Sequence, residues 1–237
     1  ETSTSASSCG LSTFSPSLGK QFEQVADGLP PGSPVTKLSC GTNHLLVIIN
    51  TDGGVYAVGY GAAANSVSVR RSFAPVSGAA LTGKRIVDIV ATSERSLLLD
   101  SDGAVYSFGK APLCSNSAAG SNATSVEPVQ VSIGTVVSKI GAGSLYNSFL
   151  AADGSLWACG SDLSFSSTTS IASDLPSVIE PSSSKITRMY ATFGALYYYS
   201  SAKMKMMANG NVNFGKLGVD LNPTMSSSVR GNITLAS

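Results

Sequence analysis

His44 is the only histidine in the chain, so any Ser-His-Asp or Cys-His scheme must pass through it. No G-x-S-x-G nucleophile motif accompanies it, which points to structural or partner-contact use. The cysteines at 9, 40, 114 and 159 lie 31, 74 and 45 residues apart, with no C-x-x-C pair to start a zinc site. No metal is expected, and these cysteines read as reduced, buried thiols. Gly78-Ala79-Ala80-Leu81-Thr82-Gly83-Lys84 approaches a phosphate loop, yet Arg85 replaces the hydroxyl residue that would hold magnesium, and Ile86-Val87-Asp88-Ile89-Val90 reads as strand where a helix is needed. Gly59-Tyr60-Gly61-Ala62-Ala63-Ala64 imitates a dinucleotide fingerprint, but no acidic residue follows at the required distance. These segments predict neither catalysis nor a cofactor, and no small-molecule substrate is expected.

The 237 residues carry 15 basic and 14 acidic side chains, 43% hydrophobic and 12% charged residues. A near-zero net charge argues against a nucleic-acid-binding surface. The aliphatic run Leu45–Ile49 is far too short for a membrane span of roughly 18 residues, so no membrane insertion is expected. There are 42 serines and 24 glycines, a supply of turn formers that disfavours long helices. The first residue is Glu1, which fits a processed organellar (mitochondrial) subunit as the first guess of compartment. The sequons at Asn122 and Asn232 keep a secreted protein as the second.

The strongest signal is internal repetition. TDGGVYAVG from Thr51, SDGAVYSFG from Ser101 and ADGSLWACG from Ala152 align, and the register extends to Gly210 and back to Gly10. Closing glycines at Gly10, Gly59, Gly109, Gly160 and Gly210 are 49, 50, 51 and 50 residues apart. Upstream of each full copy lie VTKLSCGTNHLLVII, IVDIVATSERSLLL, VSKIGAGSLYNSFL and ITRMYATFGALYYY. Each copy reads as an apolar run, a small-residue break, a second apolar run, an Asp-Gly turn and an alternating run. Asp52-Gly53, Asp102-Gly103 and Asp153-Gly154 are therefore turn formers. Strands such as Leu45–Ile49, apolar on every residue, must be covered on both faces. The class that follows is all-β: a single domain over 1–237, a β-propeller of about 50-residue four-stranded blades, four full and partial ones at the termini. Serine-rich segments 62–80, 112–130 and 161–184 are expected to form surface loops. Asn232–Ser237 reads as the first strand of a fifth copy.

These residues resemble the regulator-of-chromosome-condensation repeat family. Cys40-Gly41-Thr42-Asn43-His44 fits its G-x-x-H element, Asp52-Gly53 its turn, and Asn211-Val212-Asn213-Phe214-Gly215-Lys216-Leu217-Gly218 its glycine-rich loop. The resemblance covers the chain from Gly10 and implies a propeller, usually of seven blades. This chain departs from the pattern: the histidine position holds His44, Arg95, Tyr146 and Ala195, the tryptophan position Val58, Phe108, Cys159 and Asn209, and Lys203-Met204 replaces the fourth D-G turn. The family's ultraviolet-B receptor needs tryptophan clusters, whereas Trp157 stands alone here. Its best-known member exchanges nucleotide on a small GTPase and binds nucleosomes with the help of a basic tail, which this sequence lacks. The expected function is a non-enzymatic interaction scaffold, an accessory subunit binding other protein subunits through Asn43, His44, Glu94, Arg95, Tyr146 and Asn147. A GTPase exchange factor and a secreted binding or inhibitor propeller are the alternatives, and two forms stand side by side: a fragment or open arc completed by another subunit, and a compact five-bladed ring closed by strands from the two termini.

Overall fold

The computed structural model describes residues 28–49, 53–115, 124–160, 173–211 and 228–233. Its described part is four four-stranded antiparallel sheets, the blades of a β-propeller, each a meander with its strands in chain order. Blade 1 contains β1 (Val35–Cys40), β2 (His44–Ile49), β3 (Gly54–Tyr60) and β4 (Val69–Pro75). Blade 2 contains β5 (Ile86–Ala91), β6 (Arg95–Asp100), β7 (Val105–Lys110) and β8 (Thr124–Gln130). Blade 3 contains β9 (Val137–Ala142), β10 (Tyr146–Ala151), β11 (Leu156–Gly160) and β12 (Ser173–Glu180). Blade 4 contains β13 (Ile186–Ala191), β14 (Ala195–Ser200), β15 (Lys205–Asn211) and β16 (Ser228–Ile233). The chain divides into two compact units, one built on blades 1 and 2, the other on blades 3 and 4. Among the described residues no helix is long and apolar enough to cross a membrane.

Residues paired across neighbouring strands share a face, so register decides what each blade buries. In blade 1, Leu38 lies opposite Val47 and Val35 opposite Ile49, placing these four on one face, here called proximal. Leu46 and Ile48 take the other, distal face by alternation. Within the first unit the distal face of blade 1 meets the proximal face of blade 2: the Ala91 amide donates to Ser39 Oγ at 2.9 Å, and Lys37 pairs with Asp88 at 2.5 Å. Within the second unit the same arrangement forms one apolar cluster. Tyr146, Leu150, Leu156 and Ala158 of blade 3 pack with Ile186, Met189, Leu196, Tyr198 and Met207 of blade 4. The central strands need both contacts, and all six residues of β6 and of β10 are buried.

The fourth strand of each blade lies in sequence read as loop. Segments 62–80, 112–130 and 161–184 contain β4, β8 and β12. As edge strands they are paired on one side only, tolerate Pro75, Pro128 and Pro176, and show no clean hydrophobic alternation. A second difference is at the C-terminal side. β16 pairs with β15, so Asn232 and Ile233 complete the fourth blade and do not open a fifth. Gly10, Asp52 and the sequon at Asn122 lie outside the described residues. The described turn glycines adopt the positive φ their turns require, as at Gly103 (83°) and Gly154 (84°), and in the fourth copy Met204 takes φ 50° at the position that glycine holds elsewhere.

The cysteines depart from the expected reduced, buried thiols. Cys114 and Cys159 form a disulfide with a Cα–Cα distance of 6.0 Å, while Cys40 is free and exposed. Sequence separation hid the pair, because the two residues are 45 apart. In the chain-entropy picture a loop of that length contributes about 4 kcal/mol by restricting the unfolded chain. Peptide mapping without reductant should recover Cys114 and Cys159 as one linked species, and the Cys114→Ala/Cys159→Ala variant should unfold at lower denaturant by about 2–4 kcal/mol. Recovery of both cysteines as separate alkylated peptides would contradict the pairing.

Candidate protein-interaction face

Each blade turns from its first to its second strand through a short tip, and the residue that opens the second strand is buried beneath it. In chain order these anchors are His44, Arg95, Tyr146 and Ala195. Their chemistry differs, but each polar one spends its polar atoms inside the fold. His44 Nε2 lies 2.7 Å from Ser96 Oγ, and Ser96 donates its own proton to the Ala63 carbonyl at 2.8 Å. His44 must therefore donate through Nε2–H, which makes Nδ1 the unprotonated nitrogen. That atom is buried, with no hydrogen-bond partner among the described residues. Tyr146 plays the corresponding part in the second unit: its one hydroxyl proton is shared between the Thr192 and Ala195 carbonyls, 2.8 and 2.7 Å away, and its oxygen accepts from the Thr192 amide at 3.2 Å. Arg95 donates to the Lys110 carbonyl.

The closing glycines complete the seat. Gly59, Gly109, Gly160 and Gly210 have φ of 127°, 102°, 110° and 137°. A Cβ at any of them would overlap the carbonyl of the residue before the anchor and crowd the anchor's own Cα. Only glycine lets the third strand approach so closely, and the next residue then holds the tip: Tyr60 N–H donates to the Asn43 carbonyl and Lys110 N–H to the Glu94 carbonyl, both at 2.8 Å. The repeat spacing of these glycines thus records a steric requirement of the tips.

Of the six residues predicted as partner contacts, four are buried: His44, Arg95, Tyr146 and Asn147, each at most 2% exposed. Their place is under the tips, where they hold strands and blades together. Asn147 donates to the Pro112 carbonyl at 2.9 Å and to Cys114 Sγ at 3.0 Å. The other two, Asn43 and Glu94, are exposed on neighbouring tips of the first unit. They line a cleft of about 140 Å³ with Tyr60, Ser93, Lys110 and Thr124. Glu94 pairs with Lys110 at 3.0 Å, with both side chains more than half exposed. The corresponding tips of the second unit present Leu145 and Phe193, 46% and 71% exposed. The cleft falls below the roughly 300–1,000 Å³ of small-molecule sites and suits a side chain.

Several organising residues carry no sequence motif. Asn65, at φ 56°, accepts from the Ser77 amide and donates to the Ser77 and Val126 carbonyls, tying the segment after β4 to β8. The buried Glu180 accepts from Ser184 at 2.7 Å and Tyr198 at 3.1 Å and pairs with Lys203 at 3.2 Å, while burial raises the Tyr198 pKa. Asp153 shows the chemistry of its turn: Oδ1 accepts from the Ser155 hydroxyl and amide at 2.6 and 2.8 Å, which holds its carboxyl below the usual range. The near phosphate loop is a three-residue 3-10 turn at Ala79–Leu81 leading into β5, and the dinucleotide imitation is a closing glycine followed by a 3-10 turn at Ala62–Ala64. Among the described residues no cluster of His, Cys, Asp and Glu is arranged to hold a metal.

Burial lowers the His44 pKa from 6.5 to about 4, because the packed interface disfavours its charged form. The folded protein then binds fewer protons than the unfolded chain between these values. Stability is full above about pH 6.5 and falls as pH drops towards 4, by about 3 kcal/mol in total from this group. Denaturant titrations across that window should show the slope, and a non-titrating His44→Gln variant should lack that part of it. An unchanged slope in the variant would remove His44 from the account.

No family model matches this sequence, and no curated protein matches it. Solved structures do. The chain is similar to human WBSCR16 with a TM-score of 0.80 at 15% identity, over 98% of this chain and 61% of that one. It is similar to Prp20p from Saccharomyces cerevisiae, described with its binding to Gsp1p and histones, with a TM-score of 0.70 at 16% identity, over 85% of this chain and 50% of that one. Yeast RCC1 (Prp20) bound to Kap60 matches with a TM-score of 0.69 at 16% identity, over 86% and 50%. This chain thus spans between half and about three-fifths of the length of these structures, and the likeness is one of fold alone, an all-β propeller.

Proposed function

We propose that this chain is a non-enzymatic protein-interaction module, an accessory subunit whose blade tips bind another protein. The observation that carries the reading is the division of labour at each tip. In the first unit, exposed Asn43, Tyr60, Glu94 and Lys110 stand on buried anchors that fix their backbone before any partner arrives. Little conformational entropy remains to be lost on binding, which favours recognition by a rigid surface. The lone histidine is buried at a packed interface and the cleft is small, which supports binding over catalysis. Prp20p is described as binding Gsp1p and histones and as a complex with Kap60, partners that are all proteins. Nucleotide exchange on a GTPase has no support in this chain beyond that likeness of fold.

The disulfide between Cys114 and Cys159 favours an oxidising compartment, and with it the secreted form of the same binding function. The test of the binding role is a paired Asn43→Ala/Glu94→Ala variant, compared with wild type by gentle native purification and quantitative mass spectrometry. Partners retained by wild type should fall at least about tenfold in the variant, a loss of about 1.4 kcal/mol, with an unchanged melting temperature. Equal recovery would place the binding surface elsewhere.

A further inference from the structure

The cleft between the two tips of the first unit joins Asn43 and Tyr60 of blade 1 to Ser93, Glu94, Lys110 and Thr124 of blade 2. Its backbone is fixed from both sides: the Tyr60 amide donates to the Asn43 carbonyl, the Lys110 amide to the Glu94 carbonyl, and the Thr42 amide to the Thr92 carbonyl across the seam. The side chains on this frame are mostly unspent. Those of Asn43, Ser93 and Thr124 make no hydrogen bond among the described residues. Lys110 Nζ donates to Glu94 Oε2 at 3.0 Å, which leaves Oε1 open. Tyr60 is 63% exposed, and the space within 4 Å of a Cβ placed on the neighbouring Gly61 is empty.

These groups favour one kind of visitor. A carboxylate flanked by hydroxyls and an amide oxygen, beside an exposed aromatic ring, offers hydrogen-bond acceptors and π density together, and both attract a cation. An anionic side chain would meet Lys110 alone, already bound to Glu94, and would face both the Glu94 carboxylate and the ring. Of the two cationic side chains, a guanidinium suits the place better than an ammonium. Its planar fork donates along one edge to a carboxylate while its face rests on a ring.

We propose that this cleft receives an arginine side chain of a partner protein, its guanidinium on Glu94 Oε1 and Asn43 Oδ1 and its face on Tyr60. The inference deepens the reading of the tips as a binding surface and rests on it. Residues 1–237 do not supply the occupant themselves. Their six arginines are Arg70, Arg71, Arg85, Arg95, Arg188 and Arg230, all among the described residues, and none lines the cleft. The stretch 116–123, which joins the Lys110 side of the cleft to Thr124, reads NSAAGSNA and carries no charge.

Nuclear magnetic resonance on the full chain tests this with capped peptides of the form acetyl-Gly-Xaa-Gly-amide. The arginine peptide should shift the amides of Asn43, Gly61, Ser93 and Glu94 saturably, with half-saturation in the millimolar range that a single side chain allows. The lysine peptide should bind more weakly, and the glutamate peptide should shift none of these amides. Tyr60→Leu and Glu94→Gln, both at exposed positions and checked for an unchanged melting temperature, should each weaken the arginine peptide about two- to fivefold. An arginine peptide without effect, as when another part of the chain fills the cleft, would overturn the proposal. So would a lysine or glutamate peptide that binds as tightly, or variants that bind arginine like wild type. The tip reading can fail separately. Loss of partners in the Asn43→Ala/Glu94→Ala variant with no response to the arginine peptide would keep the tips and remove the arginine, whereas partners kept by that variant would remove the tips themselves.

Discussion

The structure depends on how one blade is seated on the next, and the most informative contact is the hydrogen bond from His44 to Ser96. It joins the start of β2 to β6 in the buried part of the seam, and it is relayed to the Ala63 carbonyl. A blade cannot bury both faces alone, so each sheet is stable only when a neighbour closes it. Polar atoms caught in the seam must then be satisfied within it. The anchor positions answer this in different ways, by imidazole at His44 and by phenol at Tyr146. At Ala195 the side chain is removed and the main-chain carbonyl is left to accept from Tyr146.

That seating explains how a sequence with little charge and no evident chemistry could present a defined surface. Buried anchors and closing glycines fix the tips, so exposed residues one or two positions away inherit a fixed geometry. Asn43 and Glu94 are exposed because His44 and Arg95 are not. The variation from one anchor to the next is tolerated because the closing glycine and main-chain hydrogen bonds fix the tip's backbone whatever side chain the anchor carries.

The glycine period, the Asp-Gly turns and the first three strands of each copy were legible because local physics writes them directly. Gly109 has to be glycine, and an apolar run covered on both faces has to be apolar throughout. The fourth strands were not legible, because VRRSFAP and TSVEPVQ lie at sheet edges, where one open side relaxes the pattern and prolines are admitted. The disulfide was hidden because proximity across 45 residues is a product of the fold. At the candidate site, the alignment of His44, Arg95 and Tyr146 marked a shared position but not its depth. A residue that opens a strand under a tight tip is indistinguishable in sequence from one exposed upon it.

Native-state hydrogen exchange of the amides that cross the seams tests the central claim most directly. In the first unit these are Thr42, donating to the Thr92 carbonyl, and Ala91, donating to Ser39 Oγ; in the second they are Ser144 and Thr192, donating to the Phe193 carbonyl and to Tyr146 Oη. If seating between blades holds the tips, these amides should be protected nearly as strongly as those of the central strands β6 and β10, despite lying at loops and edges. Exchange at the rate of exposed loop amides would show that the tips move independently of the seams, contradicting the account.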